Sequence, residues 1–94
     1  MERPTFEAML KAATGVERDG DAYIVAEEYS LSLYIGKPGQ GMELSQVVRL
    51  DLAAAFCEAS SSEHNTVYYL EYSSLHGLSV RPPTGTGGRR AGFS

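Results

Sequence analysis

The chain has 94 residues, with eight Lys and Arg against twelve Asp and Glu, a formal net charge of −4. Its residues are 43% hydrophobic and 21% charged, an ordinary soluble composition that suits one small domain. Those figures exclude a collagen-like repeat, a disulfide scaffold and a fully disordered chain.

The single cysteine, Cys57, has no partner for an intrachain disulfide, so stability has to come from an apolar core. A core this small is marginal unless the chain also assembles. The longest unbroken apolar run, Leu52 to Cys57, falls far short of the ~20 residues a membrane-spanning helix needs. Met1 to Thr5 lack the basic-then-apolar order of a secretory leader, so a cytoplasmic location is expected. Residues 1–80 carry all twelve acids and only five bases, whereas residues 81–94 carry three arginines and no acid. An acidic body disfavours RNA, whose binding rests on Lys and Arg at phosphates.

In chain order, residues 4–14 predict an amphipathic helix. Phe6, Met9, Leu10 and Ala13 form one apolar stripe, with Pro4 in the first turn and Gly15 past the end. Glu7 and Lys11 stand four apart in the favourable order, worth about 0.3 kcal/mol if they pair. Arg18-Asp19-Gly20-Asp21 reads as a turn with glycine at its second central position. Tyr23 to Val25 and Tyr29 to Ile35 then read as strand, interrupted by Glu27-Glu28. Gly36 to Gly41 reverses the chain, with Pro38-Gly39 at the centre of a type II turn.

From Met42 to Leu52 the even positions are apolar except Gln46, and the odd ones are polar except Val47. That is the two-residue period of a half-buried strand. Ser45 as a cap and Ala53-Ala54-Ala55 allow a helix over 45–59 instead, though that helix would leave apolar side chains in water. Ser60 to Asn65 reads as a polar connector, Thr66 to Tyr72 as an aromatic strand, and Leu75 to Arg81 as the last strand, with His76, Leu78 and Val80 on one side. Pro82-Pro83 ends the ladder. The domain is expected to span residues 1–82, followed by a flexible Gly/Arg tail over 83–94.

No catalytic, metal or cofactor arrangement emerges, so neither enzyme activity nor a cofactor is expected. Cys57 lacks a CxxC partner, and His64 and His76 are the only imidazoles. A Cys57 nucleophile with either histidine is the one catalytic alternative; a small buried hydrophobe is the plainer account. The Gly36–Gly41 loop lacks the Gly-Lys-Ser/Thr ending of a phosphate cradle. Six tyrosines and three phenylalanines suit cross-strand packing and protein contacts, Tyr being enriched at interfaces.

Leu75-His76-Gly77-Leu78-Ser79-Val80 resembles the second signature of Sm-like proteins, in which an Arg-Gly pair sits between apolar residues. His76 stands where that arginine is expected. Asp51, aligned with the first signature, is followed by Ala54 instead of the family's Asn. The resemblance implies a helix ahead of a bent antiparallel sheet, assembly through edge strands, and RNA contacts.

The expected fold is therefore α+β: an N-terminal helix on a bent antiparallel sheet of four or five strands that can curl into a small barrel. The alternative is two helices, 4–14 and 45–59, on a sheet. The expected function is an interaction module that self-associates into a homo-oligomer or docks a partner protein, away from membranes; RNA binding is the alternative. Candidate contact residues for either are Tyr68, Tyr69, Tyr72, His76, Gly77, Arg81, Arg89 and Arg90.

Overall fold

The structure, a computed structural model, describes residues 1–36, 41–63 and 65–83. Arg89, Arg90, His64, the Pro38-Gly39 turn and the tail beyond Pro83 lie outside the described residues.

Helix α1 spans Arg3–Ala12 with Pro4 in its first turn. It stops two residues short of the predicted end, because Ala13 is already extended and its N–H bonds back to Leu10 O at 3.3 Å. Phe6 and Leu10 are fully buried, and Met9 is half-buried. Glu7 does not turn to Lys11. It lies 3.6 Å from Arg3 and accepts a 2.8 Å hydrogen bond from the Tyr23 hydroxyl, which fastens the helix to the sheet.

Among the described residues, seven antiparallel strands follow: β1 (Val16–Asp19), β2 (Ala22–Val25), β3 (Ser30–Ile35), β4 (Met42–Leu52), β5 (Phe56–Ser61), β6 (Thr66–Glu71) and β7 (Leu75–Arg81). A 3-10 turn, Tyr72–Ser74, joins β6 to β7. Strand β4 is the spine. One of its borders takes β3 along Met42–Val47 and β2 along Arg49–Asp51, and the other takes β5. Beyond β2 lies β1, beyond β3 lies β7, and beyond β5 lies β6. The result is a strongly curled half-barrel behind an N-terminal helix, the coarse shape the Sm resemblance implies.

The strand reading of 42–52 holds and the helix over 45–59 does not, but the predicted phase breaks. Leu44, Leu50 and Leu52 point inward as their even numbers require, yet Val47 is buried and Val48 is 42% exposed. Gln46 sits in the left-handed region at φ 60°, and the pairing slips there against β3 and again near Val48 against β5. Each slip is a bulge that inserts one unpaired residue, flips the alternation and sharpens the twist. These bulges bend β4 across the core.

Further corrections concern the turns and the strand count, which is seven among the described residues where four or five were expected. The Asp19–Ala22 register leaves Gly20 and Asp21 as a two-residue loop. Gly20, at φ 67°, therefore takes the first central position, the pattern of a type II′ hairpin turn. Ala53 to Ala55 form a tight reversal, closed by Ala53 N–H to Phe56 O at 2.9 Å. Strand β5 uses residues up to Ser61, so Ser60 and Ser61 belong to a strand and not to the expected polar connector. In β7 an extra residue at His76 turns Leu75, Leu78 and Val80 to the core side and leaves His76 exposed.

The inner face of the half-barrel holds the core. Tyr23, Leu50, Ala59 and Tyr68 line up in one cross-strand row, with Leu52, Cys57 and Leu70 in another. Phe6 and Leu10 cover this face from above, and Tyr72 packs beside Phe6 with ring centroids 6.3 Å apart. The Tyr72 hydroxyl and Arg3 Nε both donate to Ala53 O, tying the 3-10 turn and α1 to the β4–β5 reversal.

The Tyr23–Glu7 bond makes stability pH-dependent at both ends. The Tyr23 hydroxyl holds the Glu7 carboxyl below its ordinary 4.5, assisted by Arg3, Lys11 and Arg18 against the opposing effect of burial. A carboxylate lowered in the fold stabilises above its unfolded pKa, and that contribution disappears as pH falls through the folded value. Burial first, then the bond to Glu7, raises the Tyr23 phenol above its ordinary 10.0. Its contribution is present below pH 10 and is lost as pH rises through the folded value. The expected result for Tyr23→Phe is a flatter urea-midpoint profile on both limbs. An unchanged acid limb would show that the hydroxyl does not set the Glu7 titration.

Candidate interaction surface

The outer face of the sheet carries two contrasting zones. Across the strands runs a row of Asp19, Ala22, Asp51, Glu58 and Tyr69, each paired with the next. Three carboxylates therefore lead to one tyrosine. Arg49, in the adjoining row, donates to Asp51 at 2.9 and 3.1 Å. That hydrogen bond, then the charge of Asp51, raises the Arg49 pKa, with Asp19 and Glu58 adding to it.

The second zone lies at the β5–β6 border. Tyr69 is 68% exposed, the most exposed large apolar side chain among the described residues, and Val67 beside it is 46% exposed. The Phe56 ring sits diagonally across at 6.1 Å from the Tyr69 ring. Strict alternation produces this layout: Thr66, Tyr68 and Leu70 lean toward the core, while Val67, Tyr69 and Glu71 face out. Among the described residues, strand β6 pairs with β5 alone, and no second strand lies along the other border of Val67 to Glu71.

The candidate residues fall into separate places. Tyr68 and Tyr69 share β6 on opposite faces. Tyr72 is buried, with its hydroxyl bonded to Ala53, so it is a core residue and not a surface contact. His76, Gly77 and Arg81 lie on β7, where Gly77 faces Tyr34 and Arg81 faces Ser30. Since β6 borders β5 and β7 borders β3, the two groups sit on different borders of the sheet. Phe56 and Val67 belong to the β6 zone but were not among the sequence candidates. The signal for Val67 was its parity with Tyr69; Phe56 lay in the segment with two competing readings.

Cys57 is fully buried, and burial pushes its thiol up to about 11. His76 is exposed on β7, away from the core row that holds Cys57. The thiolate is the reactive form, so the fold suppresses it. Native-state reaction of Cys57 with a maleimide is expected to be at least tenfold slower than in urea; equal rates would show an accessible thiol.

Among the described residues, no group of three or more His, Cys, Asp and Glu is placed to hold a metal ion, and no helix is long and apolar enough to cross a membrane. The fold and this surface define a small α+β half-barrel with an exposed aromatic border. No family model, curated protein or solved structure matches the chain.

Proposed function

We propose that this protein is a non-enzymatic interaction module that accepts an extended strand of a protein partner along β6. The observation that carries this reading is the coincidence, among the described residues, of a β6 border that takes no second strand with the exposed Tyr69, Val67 and Phe56 side chains. An unpaired border supplies a ladder of N–H and C=O groups, and alternating side-chain contacts supply selectivity. Natural sheets blunt their borders with charge, proline or bulges. Strand β1 is blunted by Glu17, Arg18 and Asp19, and β7 by the His76 bulge and by Pro82-Pro83 after its end. Strand β6 has no proline, no glycine and a single charge, Glu71, at its end.

RNA binding has less behind it. The exposed aromatics lie beside Asp51 and Glu58, which repel phosphates, while Arg81 is on β7, on another border of the sheet. The test is to pan random peptides displayed on phage against the full chain and map the recovered peptides by amide chemical shifts. Extended binders that perturb Val67 to Leu70 are expected, with no micromolar, salt-sensitive affinity for uridine-rich or adenine-rich oligonucleotides. Peptides mapping elsewhere, or tight oligonucleotide binding that collapses with salt, would overturn the proposal.

A further inference from the structure

We propose that the α-amino nitrogen of Met1 is a modification site that folding closes: its acylation by an acyl thioester and the native β6–β7 corner exclude each other.

The 3-10 turn Tyr72–Ser74 leaves its last carbonyls in need of donors from outside, as every helix end does. Tyr72 O takes the Leu75 N–H that closes the turn, and Ser74 O takes the Gly36 N–H at 2.9 Å. The Met1 ammonium supplies two more donors from the far end of the sequence. It donates to Tyr72 O at 2.9 Å and to Leu75 O at 2.7 Å, both within the range of charge-assisted bonds. The nitrogen is partly buried, the Met1 side chain packs against the core, and Leu75 is fully buried. Between this nitrogen and α1 the backbone is held as well. Glu2 is extended, at φ −84° and ψ 157°, and its carbonyl accepts the Phe6 N–H at 3.0 Å. Arg3 Nε reaches Ala53 O from the same segment.

An ammonium has three N–H donors, and two of them serve carbonyls here. Acylation turns the nitrogen into a planar, uncharged amide with a single N–H. That amide can serve one of the two carbonyls at most, and it carries an added acyl group on a partly buried atom. A residue joined ahead of Met1 makes the same change, because a peptide bond is the same amide. Either way a carbonyl at the corner loses a charged donor, which costs more than a neutral hydrogen bond.

The chemistry meets the same conflict from the other side. In acyl transfer the amine lone pair attacks the thioester carbonyl carbon, an N–C bond forms and the C–S bond breaks. The sulfur departs with the bonding pair and takes up one proton as the thiol, and the second proton lost by the ammonium goes to solvent. Attack needs room around the nitrogen for the acyl carbon. In the fold Tyr72 O and Leu75 O crowd it, and its side chain is pinned to the core. Acyl transfer therefore belongs to the chain before α1 docks. At equilibrium the coupling is reciprocal: folding disfavours acylation by the same factor that acylation disfavours folding.

The test compares full chains assembled by native chemical ligation at the Phe56–Cys57 junction, one with a free Met1 amine and one Nα-acetylated. The acetylated chain is expected to melt at least about 5 °C lower, the shift that losing one charge-assisted hydrogen bond gives a domain of this size. Equal melting temperatures would overturn the proposal. A third chain with glycine joined ahead of Met1 keeps a charged terminus but not at this nitrogen, and is expected to melt with the acetylated one. If it melts with the free amine instead, the bonds of the Met1 nitrogen do not matter and the proposal falls. The free-amine chain supplies an independent reading. Acetylation by N-hydroxysuccinimidyl acetate at neutral pH is followed by peptide mass spectrometry, with the exposed Lys11 of α1 as reference. Modification of Met1 relative to Lys11 is expected to be at least about tenfold slower in the native state than in urea. An equal ratio in both states would show the amine open in the fold and would overturn the proposal too. If the acetylated chain does not fold at all, this ratio decides alone.

Discussion

Phe6→Ala is expected to cost about 3–5 kcal/mol, the range for deleting a buried aromatic side chain. A 94-residue domain has roughly 5–14 kcal/mol in total, so the variant should lie near the edge of folding at 37 °C. The size of the effect follows from what α1 does. The helix has ten residues, too few to persist alone in water, and Phe6 and Leu10 are its only fully buried side chains. Phe6 touches Tyr72, whose carbonyl accepts the Leu75 N–H in the turn between β6 and β7 and whose hydroxyl ties that turn to Ala53 O of the β4–β5 reversal. Losing the ring therefore leaves a cavity and weakens the hold on that turn. Urea unfolding by circular dichroism is the measurement. Phe6→Leu, which keeps most of the apolar volume, is expected to lose much less. Equal midpoints for wild type and Phe6→Ala would mean the sheet does not depend on its helix.

That dependence was legible in the sequence, because the stripe of Phe6, Met9 and Leu10 behind Pro4 is a local signal with a local cause. The strand character of 42–52 was legible for the same reason. The phase inside it was not. Gln46 is an ordinary polar residue, and nothing beside it announces a positive φ. Its conformation is imposed by tertiary contacts: its carbonyl accepts Ser62 N–H at 2.9 Å, and Ser61 Oγ donates to the preceding Ser45 carbonyl at 3.1 Å. Strand β1, with the sequence Val-Glu-Arg-Asp, carries no apolar rhythm because only Val16 packs against the core while Glu17, Arg18 and Asp19 face water. Strand β5 hides its rhythm differently. Its inward residues, Cys57, Ala59 and Ser61, are small, while the large Phe56 points out.

The candidate surface was half legible. Alternation separates Tyr68 from Tyr69, but only the strand order tells which border stays open. That order depends on β7 returning to β3 instead of continuing beside β6, a non-local pairing with no local trace. Tyr72 illustrates the limit. It differs from Tyr69 only by lying in the 3-10 turn under Phe6, and that places it in the core.

The second large effect is expected at Gly15, which the sequence offered only as a helix stop. Gly15 has φ 85°, and its carbonyl accepts the Ala26 N–H at 2.8 Å, closing the path from α1 into the first hairpin. The Tyr29 ring lies flush against it. A Cβ built there would stand 2.7 Å from Tyr29 Cδ1 and closer still to Cγ and Cδ2. Gly15→Ala thus meets two penalties: about 1–2 kcal/mol for an L side chain in the left-handed region, and about 1–3 kcal/mol for displacing a packed ring. The sum, roughly 2–5 kcal/mol, corresponds to a melting temperature lowered by about 10–30 °C at this size. Gly20→Ala is the internal control, since Gly20 shares the positive φ of 67° but has nothing within 4 Å of its added carbon. It should show the dihedral part alone. In a Tyr29→Ala background the Gly15→Ala penalty should shrink to that of Gly20→Ala, and a double-mutant cycle reads the difference directly. Equal losses at Gly15 and Gly20 in the wild-type background would show that the ring yields freely and that backbone conformation alone selects glycine at position 15.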